Sequence, residues 1–189
     1  MTRGPHRSES SRRAILESAG ALLLQHGWSG LTVEGIAAHA GVGKQAIYRW
    51  WPVKSGIIAD ALAEGALLPS LHETPDSGDV LADVTAWLVE VAQLLGVPGR
   101  SDLIRSLLGA AVENEQVAAA LGERLGAAPS AVAGRLSRAI ESGELPPDVP
   151  VQLMTEALIG AVLLRVLSRE PFEAGDARDL AAVMLGQRR

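Results

Sequence analysis

The sequence predicts an all-α protein of about nine helices, in which a three-helix segment containing a helix-turn-helix precedes a larger helical domain. Hydrophobic residues make up 48% of the chain, but aromatic residues make up only 3%. Ala, Leu, Val and Gly are abundant, and this mixture favours close-packed helices over a β-sandwich. Apolar residues recur at helical spacing along most of the chain, without an alternating strand pattern or an internal repeat.

Four helices are predicted in the N-terminal third, after a polar and loose arm over residues 1–9. Gly27 ends the first helix, because glycine readily adopts the left-handed backbone found at helix C-termini. Thr32 has a side chain suited to an N-cap and begins the second helix. Pro52 interrupts the chain before the fourth helix. The four predicted helices span residues 10–27, 33–40, 44–50 and 54–67.

Five further helices are predicted after a loop rich in Pro, Ser and Asp at residues 68–78. They span about residues 80–94, 103–111, 116–142, 151–168 and 176–186. Pro129 is expected to bend the third of these helices or to break it in two. We therefore divide the chain into a helix-turn-helix domain (1–52), a connecting helix (53–67) and a C-terminal helical domain (68–189).

Charge is distributed unevenly along the chain. The net charge is -5, yet residues 1–60 carry seven Lys or Arg against four Asp or Glu, while the remainder carries ten against eighteen. A basic N-terminal third joined to an acidic remainder indicates that a nucleic-acid contact, if present, lies in the N-terminal third.

Neither a catalytic centre nor a cofactor or metal site is predicted. The chain has no cysteine, which excludes disulfides and thiolate metal sites. Its four histidines lack metal-ligand spacing, and no Gly-rich phosphate loop or serine nucleophile elbow is present. The longest apolar stretch, residues 157–164, is shorter than the roughly 18 residues of a membrane span, and no secretion signal is recognisable. We expect a non-enzymatic, cytoplasmic protein without membrane contact.

Residues 32–51 carry the pattern that predicts function. Two short helices joined by a tight Gly-containing turn form a helix-turn-helix, in which the second helix enters the DNA major groove and the first braces it. The apolar inner face is supplied by Val33, Ile36, Ala37, Val42, Ile47 and Trp51. The outward positions of the third helix are Lys44, Gln45, Ala46, Tyr48 and Arg49. Gln45 can pair with adenine and the Ala46 methyl can meet a thymine methyl, so this segment predicts sequence-specific DNA binding.

The segment LTVEGIAAHAGVGKQAIYRWWPVKSGIIADAL, residues 31–62, resembles the DNA-binding domain of the TetR (tetracycline-repressor) family of bacterial regulators. The matching features begin with Thr32 at the start of the second helix. They continue with the pair Ile36-Ala37, the triplet Ala40-Gly41-Val42, the pair Ile47-Tyr48, and an aromatic-Pro-x-Lys run at 51–54. With the first helix, the resemblance covers about a third of the chain. The rest fits the family's helical ligand-binding and dimerisation domain in length and helix count.

The resemblance implies roles for individual residues. Thr32, Tyr48 and Lys54 occupy positions that hold DNA phosphates. Bases or nearby phosphates are read at the positions of Lys44, Gln45 and Ala46. Arg49, on the outward side of the third helix, is a further DNA-binding candidate. Tyr48 has a structural alternative, which is simple packing.

Two positions depart from the usual family pattern, and the N-terminal arm adds further candidates. Trp50 replaces a common His or Tyr, and its indole N–H either donates to a phosphate or only packs. Gly43 is a DNA-binding candidate at a position where the family commonly has Ser, so without a side chain it lacks the hydroxyl contact of that Ser. The arm contains Arg3, Arg7, Arg12 and Arg13. These arginines either reach phosphates or the minor groove, or form a solvated tail.

The last two helices are the candidates for a partner surface. Residues 151–168 are apolar nearly all round, and Gly160 with Ala161 permits close approach of another helix. Two-fold pairing of this helix and of 176–186 gives a four-helix bundle, and therefore a homodimer. The alternative is a central helix buried within one monomer.

A small-molecule pocket between the middle helices is implied by the resemblance. Its candidate lining residues are Trp87, Val91, Leu94, Arg105, Leu108, Ala111 and Leu163. Arg105 or Arg135 is placed to meet an anionic group of the ligand. For each of these residues, core packing or a solvated charge is the alternative role.

The predicted function is a ligand-responsive transcriptional regulator, in the first instance a repressor. It binds a near-palindromic operator in double-stranded DNA as a homodimer, and a small hydrophobic or amphipathic effector releases it. Two alternatives stay open at this point. One is an activator or constitutive repressor without a small ligand, and the other is a helical enzyme or protein-interaction module whose basic segment is incidental.

Overall fold

The computed structural model describes residues 5–68 and 73–186, with side chains for 9–68, 73–126 and 130–186. Within these residues the chain forms nine α-helices and no strand. They are α1 (Pro5–Gly30), α2 (Val33–His39), α3 (Lys44–Tyr48), α4 (Lys54–Ala63), α5 (Val80–Gly96), α6 (Arg100–Glu113), α7 (Glu115–Glu141), α8 (Val151–Ser168) and α9 (Ala174–Leu185). The predicted all-α class is confirmed.

The first helix differs from its prediction at its N-terminal end. α1 begins at Pro5 rather than near Ser10, so the predicted loose arm is wrong for the described residues 5–9. Proline suits a first helical turn, because its missing N–H would have no partner there. Gly27 interrupts α1 as predicted, since its backbone leaves the helical region with φ 67° and ψ −178° before one further turn.

α7 runs as a single helix through the position of Pro129, so of the two predicted effects of Pro129 the break is wrong, and the bend stays a prediction. An interior proline costs a helix roughly 3 kcal/mol. Burial on both sides of that position outweighs this cost, because Val117 and Leu121 are buried before it and Val132 and Leu136 after it.

The helices group into two compact units that are not contiguous in sequence. The first unit contains α1–α4, most of α6 and the beginning of α7, within residues 1–70 and 102–124. The second contains α5, the remainder of α7, α8 and α9, within residues 71–101 and 125–189.

The first unit buries the apolar faces of its short helices against α1. α1 packs on α4 and α2, and α2 packs on α3. Fully buried side chains from all four helices form this core: Ile15, Leu16, Leu23, Ile36, Ile47, Ile57, Ile58 and Leu62. The helix-turn-helix is therefore held in shape by α1 and α4, which leaves the outer side of α3 for another role.

The second unit is built on the packing of α5 against α9, with α8 also packed on α9. Its core includes Val84, Trp87, Leu88, Leu136, Leu158, Ala177 and Ala181. Asp79 caps α5 by accepting from the Ala82 N–H at 2.9 Å. Glu173 and Asp176 form a capping box at α9, which satisfies the first N–H groups of that helix.

A buried ion cluster joins α5, α7 and the turn after α7, and it is called here the Arg135 cluster (Arg135, Asp76, Asp83 and Glu144). Arg135 has no exposed side-chain surface and donates from Nε to Asp83 Oδ2 at 2.7 Å and from Nη2 to Glu144 Oε2 at 2.8 Å. Asp76 Oδ1 lies 3.3 Å from the same Nε. The hydrogen bond to Glu144 makes the largest contribution in raising the pKa of Arg135, which keeps this buried guanidinium charged.

α8 is strongly apolar but is buried along one face only. Thr155, Leu158, Val162 and Val166 are buried, at helical spacing. By length and composition α8 is the one straight helix, in the part of the chain that the structure describes, that could cross a membrane; core helices of soluble proteins pass the same test. Its exposed face is described below.

Candidate nucleic-acid interface

The entry to α2 is built as the sequence predicts. Thr32 adopts extended backbone angles, and its Oγ1 accepts the Gly35 N–H at 3.0 Å. The cap satisfies one of the free N–H groups of the first turn and is worth about 1 kcal/mol. The turn to α3 passes through Gly41 at φ 66°, a conformation that favours glycine. Gly43 then begins α3 without a side-chain cap.

α3 divides into a buried and an exposed side. Ile47 is fully buried and Trp51, just beyond the helix, is nearly so. The exposed residues Lys44, Gln45, Tyr48 and Arg49 form what is called here the reading surface. Ala46 is half-buried, so its methyl is less available to a base than the sequence suggests. The remaining outward positions occupy the side predicted to enter the major groove.

Lys44 is held by a carboxylate that the sequence analysis passed over. Its Nζ donates to Glu34 Oε1 at 2.9 Å, and both side chains are more than half exposed. Glu34 lies in the first turn of α2, so the pair spans the two helices of the motif. The hydrogen bond from Lys44 lowers the pKa of Glu34, which therefore remains ionised at neutral pH.

Lys54 is placed differently from the prediction of a plain phosphate contact. Its Nζ donates to the carbonyl of Trp28 at 2.7 Å and to that of Leu31 at 2.9 Å. It also lies 4.2 Å from the centre of the Trp28 ring. These carbonyls lie at and just beyond the C-terminal end of α1, where a cation offsets the helix dipole. An ammonium has three N–H groups, so one donor of Lys54 is left for a further acceptor.

Trp51 and Arg12 connect α1 and α4 behind the reading surface. The Trp51 indole donates to Asp60 Oδ2 at 2.9 Å, and Arg12 donates to the same oxygen at 2.9 Å. Arg12 also pairs with Glu64 and lies 5.5 Å from the centre of the Trp51 ring. Burial opposes the charge of Arg12, but its carboxylate partners outweigh this and raise its pKa. Arg12 thus has a structural role between α1 and α4, and its contact with DNA stays a prediction.

The other arm and aromatic candidates are distributed as follows. Arg13 is exposed and pairs with Glu17 one turn away on α1. Trp50 is half-buried, stacks edge-on against Trp51 and carries Arg49 over its ring at 4.9 Å. Trp50 therefore packs against Trp51 and Arg49, and the phosphate contact of its indole N–H stays a prediction. The side chains of Arg3 and Arg7 lie outside the described residues.

The candidate ligand residues fall into both units. Trp87 and Val91 are buried in the core of the second unit, where Leu94 and Leu163 are partly buried. Arg105, Leu108 and Ala111 lie on α6 in the first unit, and Arg105 pairs with Asp102. Arg135 is enclosed by carboxylates in the Arg135 cluster, which leaves its charge already balanced.

A cavity of about 310 Å³ lies in the second unit, and none of the candidate residues is among those that line it. It is bounded by the end of α5, the end of α8 and the loop before α9: Ala92, Gln93, Leu95, Gly96, Ser101, Val166, Glu170, Pro171, Phe172, Glu173 and Ala174. Several of these residues are exposed, which makes it a surface pocket. None of its lining residues was predicted to contact a ligand, because no recognisable motif marks them.

Two family models match the chain. One, described as bacterial regulatory proteins of the tetR family, matches residues 15–61. The other, described as the C-terminal domain of tetracyclin repressor-like proteins, matches residues 74–184, more than half of the chain. The first covers the helix-turn-helix and its bracing helices, and the second covers α5 through nearly all of α9.

Individual relatives agree with these models. The chain is 31% identical over 168 residues to the uncharacterized HTH-type transcriptional regulator YdeS of Bacillus subtilis (strain 168), covering 87% of this chain and 82% of YdeS. The crystal structure of the TetR family transcription regulator SCO0332 matches with a TM-score of 0.66 and 31% identity, covering 93% of this chain and 96% of that chain.

A third relative shows the fold alone. The transcriptional regulator FadR from Bacillus subtilis, crystallised in complex with stearoyl-CoA, matches with a TM-score of 0.72 at 18% identity, over 92% of this chain and 97% of that chain. The matched domains and the named relatives are transcriptional regulators, not enzymes. The chain belongs to the TetR family of bacterial helix-turn-helix transcriptional regulators.

Proposed function

We propose that this regulator is a homodimeric, ligand-responsive repressor that binds a near-palindromic operator through the reading surface. The observation that carries the DNA-binding part is the exposure of Lys44, Gln45 and Tyr48 on a helix whose opposite side is fully buried. Gln45 pairs with adenine and Lys44 with guanine, while Thr32 and Tyr48 hold phosphates. Binding of this kind places the protein in the cytoplasm with the DNA.

The dimer is supported by the exposed side of α8. Five apolar or small residues are exposed there at alternating spacings of four and three, the spacing of a helix–helix seam. They are Leu153, Ala157, Gly160, Leu164 and Leu167. Leu153, Leu164 and Leu167 each keep more than half of their surface exposed, and Val183 on α9 keeps 80%. A stripe of this kind favours association with an equivalent stripe, because a two-fold axis makes it self-complementary.

The dimer is tested by placing a charge in the stripe. Leu164→Glu is expected to give monomers in sedimentation equilibrium, because two carboxylates would meet near the two-fold axis. Val112→Glu is the matched control, since Val112 is 89% exposed on α6 and lies outside the stripe. A dimeric Leu164→Glu protein, or a monomeric wild type, contradicts the proposed interface.

Effector binding is supported by the apolar interior of the second unit and by the ligand found in FadR, a protein of similar structure. The second unit is rich in apolar side chains, and FadR was crystallised with the amphipathic molecule stearoyl-CoA. An effector can release the operator only through a difference between its affinities for the bound and released states. We expect an apolar or amphipathic small molecule to raise the Tm of the free protein and to lower its affinity for the operator together.

A regulator without a small ligand is the second candidate. It is favoured by the close packing around Trp87 and Val91, which are 1% and 7% exposed in the core where the ligand was predicted. A saturating ligand at about 100 times its Kd stabilises a protein by roughly 2.7 kcal/mol. A screen of apolar and amphipathic compounds that never shifts the Tm, with operator binding intact, supports this second candidate.

Operator binding itself is tested by selecting bound sequences from random DNA. The proposal predicts a motif with two-fold symmetry, whose half-sites lie in major grooves about one helical turn or more apart. Failure to enrich any sequence at low salt contradicts the proposal, because low salt favours every phosphate contact.

A further inference from the structure

The ion pair between α2 and α3 places a negative charge beside Lys44 of the reading surface. Glu34 and Lys44 meet at 2.9 Å, with 55% and 54% of their side-chain surfaces exposed. Neither residue is part of the core, so the pair does not contribute to core packing. An exposed pair of this kind contributes little to stability, generally below about 1 kcal/mol. A larger effect of this pair is therefore expected on DNA binding than on stability.

A carboxylate at this position is unfavourable on most DNA. Phosphates flank the major groove on both sides, and an ionised Glu34 is repelled by them whatever the base sequence. The repulsion is offset only where a base edge donates an N–H to the carboxylate. Cytosine N4 and adenine N6 are the bases' major-groove donors, and cytosine N4 is the usual partner of Glu or Asp.

Lys44 has the complementary requirement, because its ammonium needs acceptors. Guanine offers two in the major groove, O6 and N7, and its paired cytosine presents the N4 donor beside them. An ammonium and a carboxylate 2.9 Å apart therefore match the edge of one G·C pair: Lys44 takes the guanine and Glu34 takes the cytosine. An A·T pair presents its donor between two acceptors, so it offers the ammonium only one acceptor on either side of the donor, where a G·C pair offers two.

We propose that Glu34 is a specificity-determining residue, which acts with Lys44 to select a G·C base pair in each half-site and to weaken binding to all other DNA. This inference rests on the proposed function, since it requires that the reading surface bind an operator. It assigns a role to a residue that the sequence analysis did not include among the DNA contacts.

The test compares wild type, Glu34→Gln and Glu17→Gln by selection from random DNA and by titration of a random duplex. Glu17 is the matched control, because it too is an exposed glutamate in an ion pair, with Arg13 on α1. Glu34→Gln is expected to lose about 10-fold discrimination at the G·C position and to bind random duplex about fivefold more tightly. Glu17→Gln is expected to retain the wild-type motif and random-duplex affinity.

Two further measurements separate specificity from simple charge removal. Glu34→Asp keeps the charge but withdraws it by one methylene, so it is expected to reject random DNA like wild type while losing the G·C preference. In Glu34→Gln, Lys44 is free to neutralise one more phosphate, so the salt dependence on random duplex is expected to steepen by about 0.9 in log–log slope. Circular dichroism at the working temperature confirms that each variant is folded.

The outcomes distinguish this inference from the function on which it rests. If wild type and Glu34→Gln enrich the same motif and bind random duplex equally, the role of Glu34 is refuted and the repressor remains. If wild type enriches a motif without a G·C pair in each half-site, the inference is also refuted. If wild type enriches nothing, the proposed DNA-binding function fails, and the inference fails with it.

Discussion

The reading surface of the first unit and the Arg135 cluster of the second use the same chemistry in opposite surroundings. Lys44 and Glu34 are about half exposed, whereas Arg135 and Asp83 are 0% and 3% exposed. In water a pair of charges gains little from its mutual attraction, so such a pair can exchange its own contact for contacts with DNA at a small cost. In the interior, loss of one partner leaves an uncompensated charge, so the folded state depends on the intact cluster.

An arginine in a domain that is predicted to bind a ligand is therefore not by itself evidence of a site for an anionic ligand. Arg135 is enclosed by three carboxylates and lies in the second unit's interior. Conversely, the exposed charges of α3 are expected to be nearly neutral for stability, and they are the residues that we propose recognise DNA. Substitutions in the two regions should therefore separate stability from DNA binding.

The largest effect is expected from Arg135→Met. Removing the guanidinium leaves Asp83 buried without its cationic partner, and breaking a buried pair costs about 3–5 kcal/mol. Urea denaturation followed by circular dichroism measures this loss in the free energy of unfolding. Arg138→Met is the control on the same helix, since Arg138 is 48% exposed and pairs with Asp76, and it should cost less than about 1 kcal/mol. Equal losses in the free energy of unfolding of the two variants would contradict the claim that the buried ion pairs contribute more to stability than the exposed one.

Lys54→Met is expected to lower the free energy of unfolding by less than Arg135→Met does, but by more than substitutions on the reading surface do. It removes two hydrogen bonds from a charged donor to the carbonyls of Trp28 and Leu31, and the free energy of unfolding should fall by about 1.5–3 kcal/mol. If the remaining donor also holds a phosphate, the salt dependence of DNA binding becomes shallower by about 0.9 in log–log slope. An unchanged denaturation midpoint would show that the contacts with α1 contribute nothing.

Gln45→Ala is expected to affect binding alone. Gln45 is exposed at the start of α3, so its loss should change the free energy of unfolding by no more than about 0.5 kcal/mol. Discrimination at one adenine of each half-site should fall by about 1–3 kcal/mol, measured by competition with single-base operator variants. Uniform weakening across all variants would instead identify Gln45 as a phosphate contact.

The smallest effect is a dependence of stability on pH that belongs to the Arg135 cluster. The hydrogen bond from Arg135 lowers the pKa of Glu144, and at Asp83 burial is outweighed by hydrogen bonds from Ser77 and Arg135, which lower its pKa as well. Depressed carboxyl pKa values add stability above the unfolded values of about 4, and this stability is lost as the pH falls through the folded values. Urea midpoints from pH 7 to 3 should fall more steeply for wild type than for Arg135→Met.

The helix-turn-helix was predictable because local chemistry determines it. The Thr32 cap, the turn through Gly41 and the buried positions Ile36 and Ile47 all depend on neighbours within a few residues. The break predicted at Pro129 failed because long-range burial on both sides of it outweighed a local preference. Helix propensity is a weak prior when tertiary packing opposes it.

The partners of charged side chains were not predictable. Arg12 pairs with Asp60, 48 residues away, and Arg135 pairs with Asp83, 52 residues away. Helical spacing predicts only partners three or four residues apart, as for Arg13 and Glu17. Glu34 was missed for the same reason, because its partner Lys44 is ten residues away across a turn.

The most direct test of the account is selection from random DNA by wild type and by the double variant Lys44→Ala/Gln45→Ala. Both residues are exposed, so the variant should retain the Tm of wild type. The account predicts that wild type enriches a two-fold symmetric motif and that the variant loses sequence preference while still binding DNA weakly at low salt. Enrichment of the same motif by both proteins would contradict the claim that α3 reads the sequence.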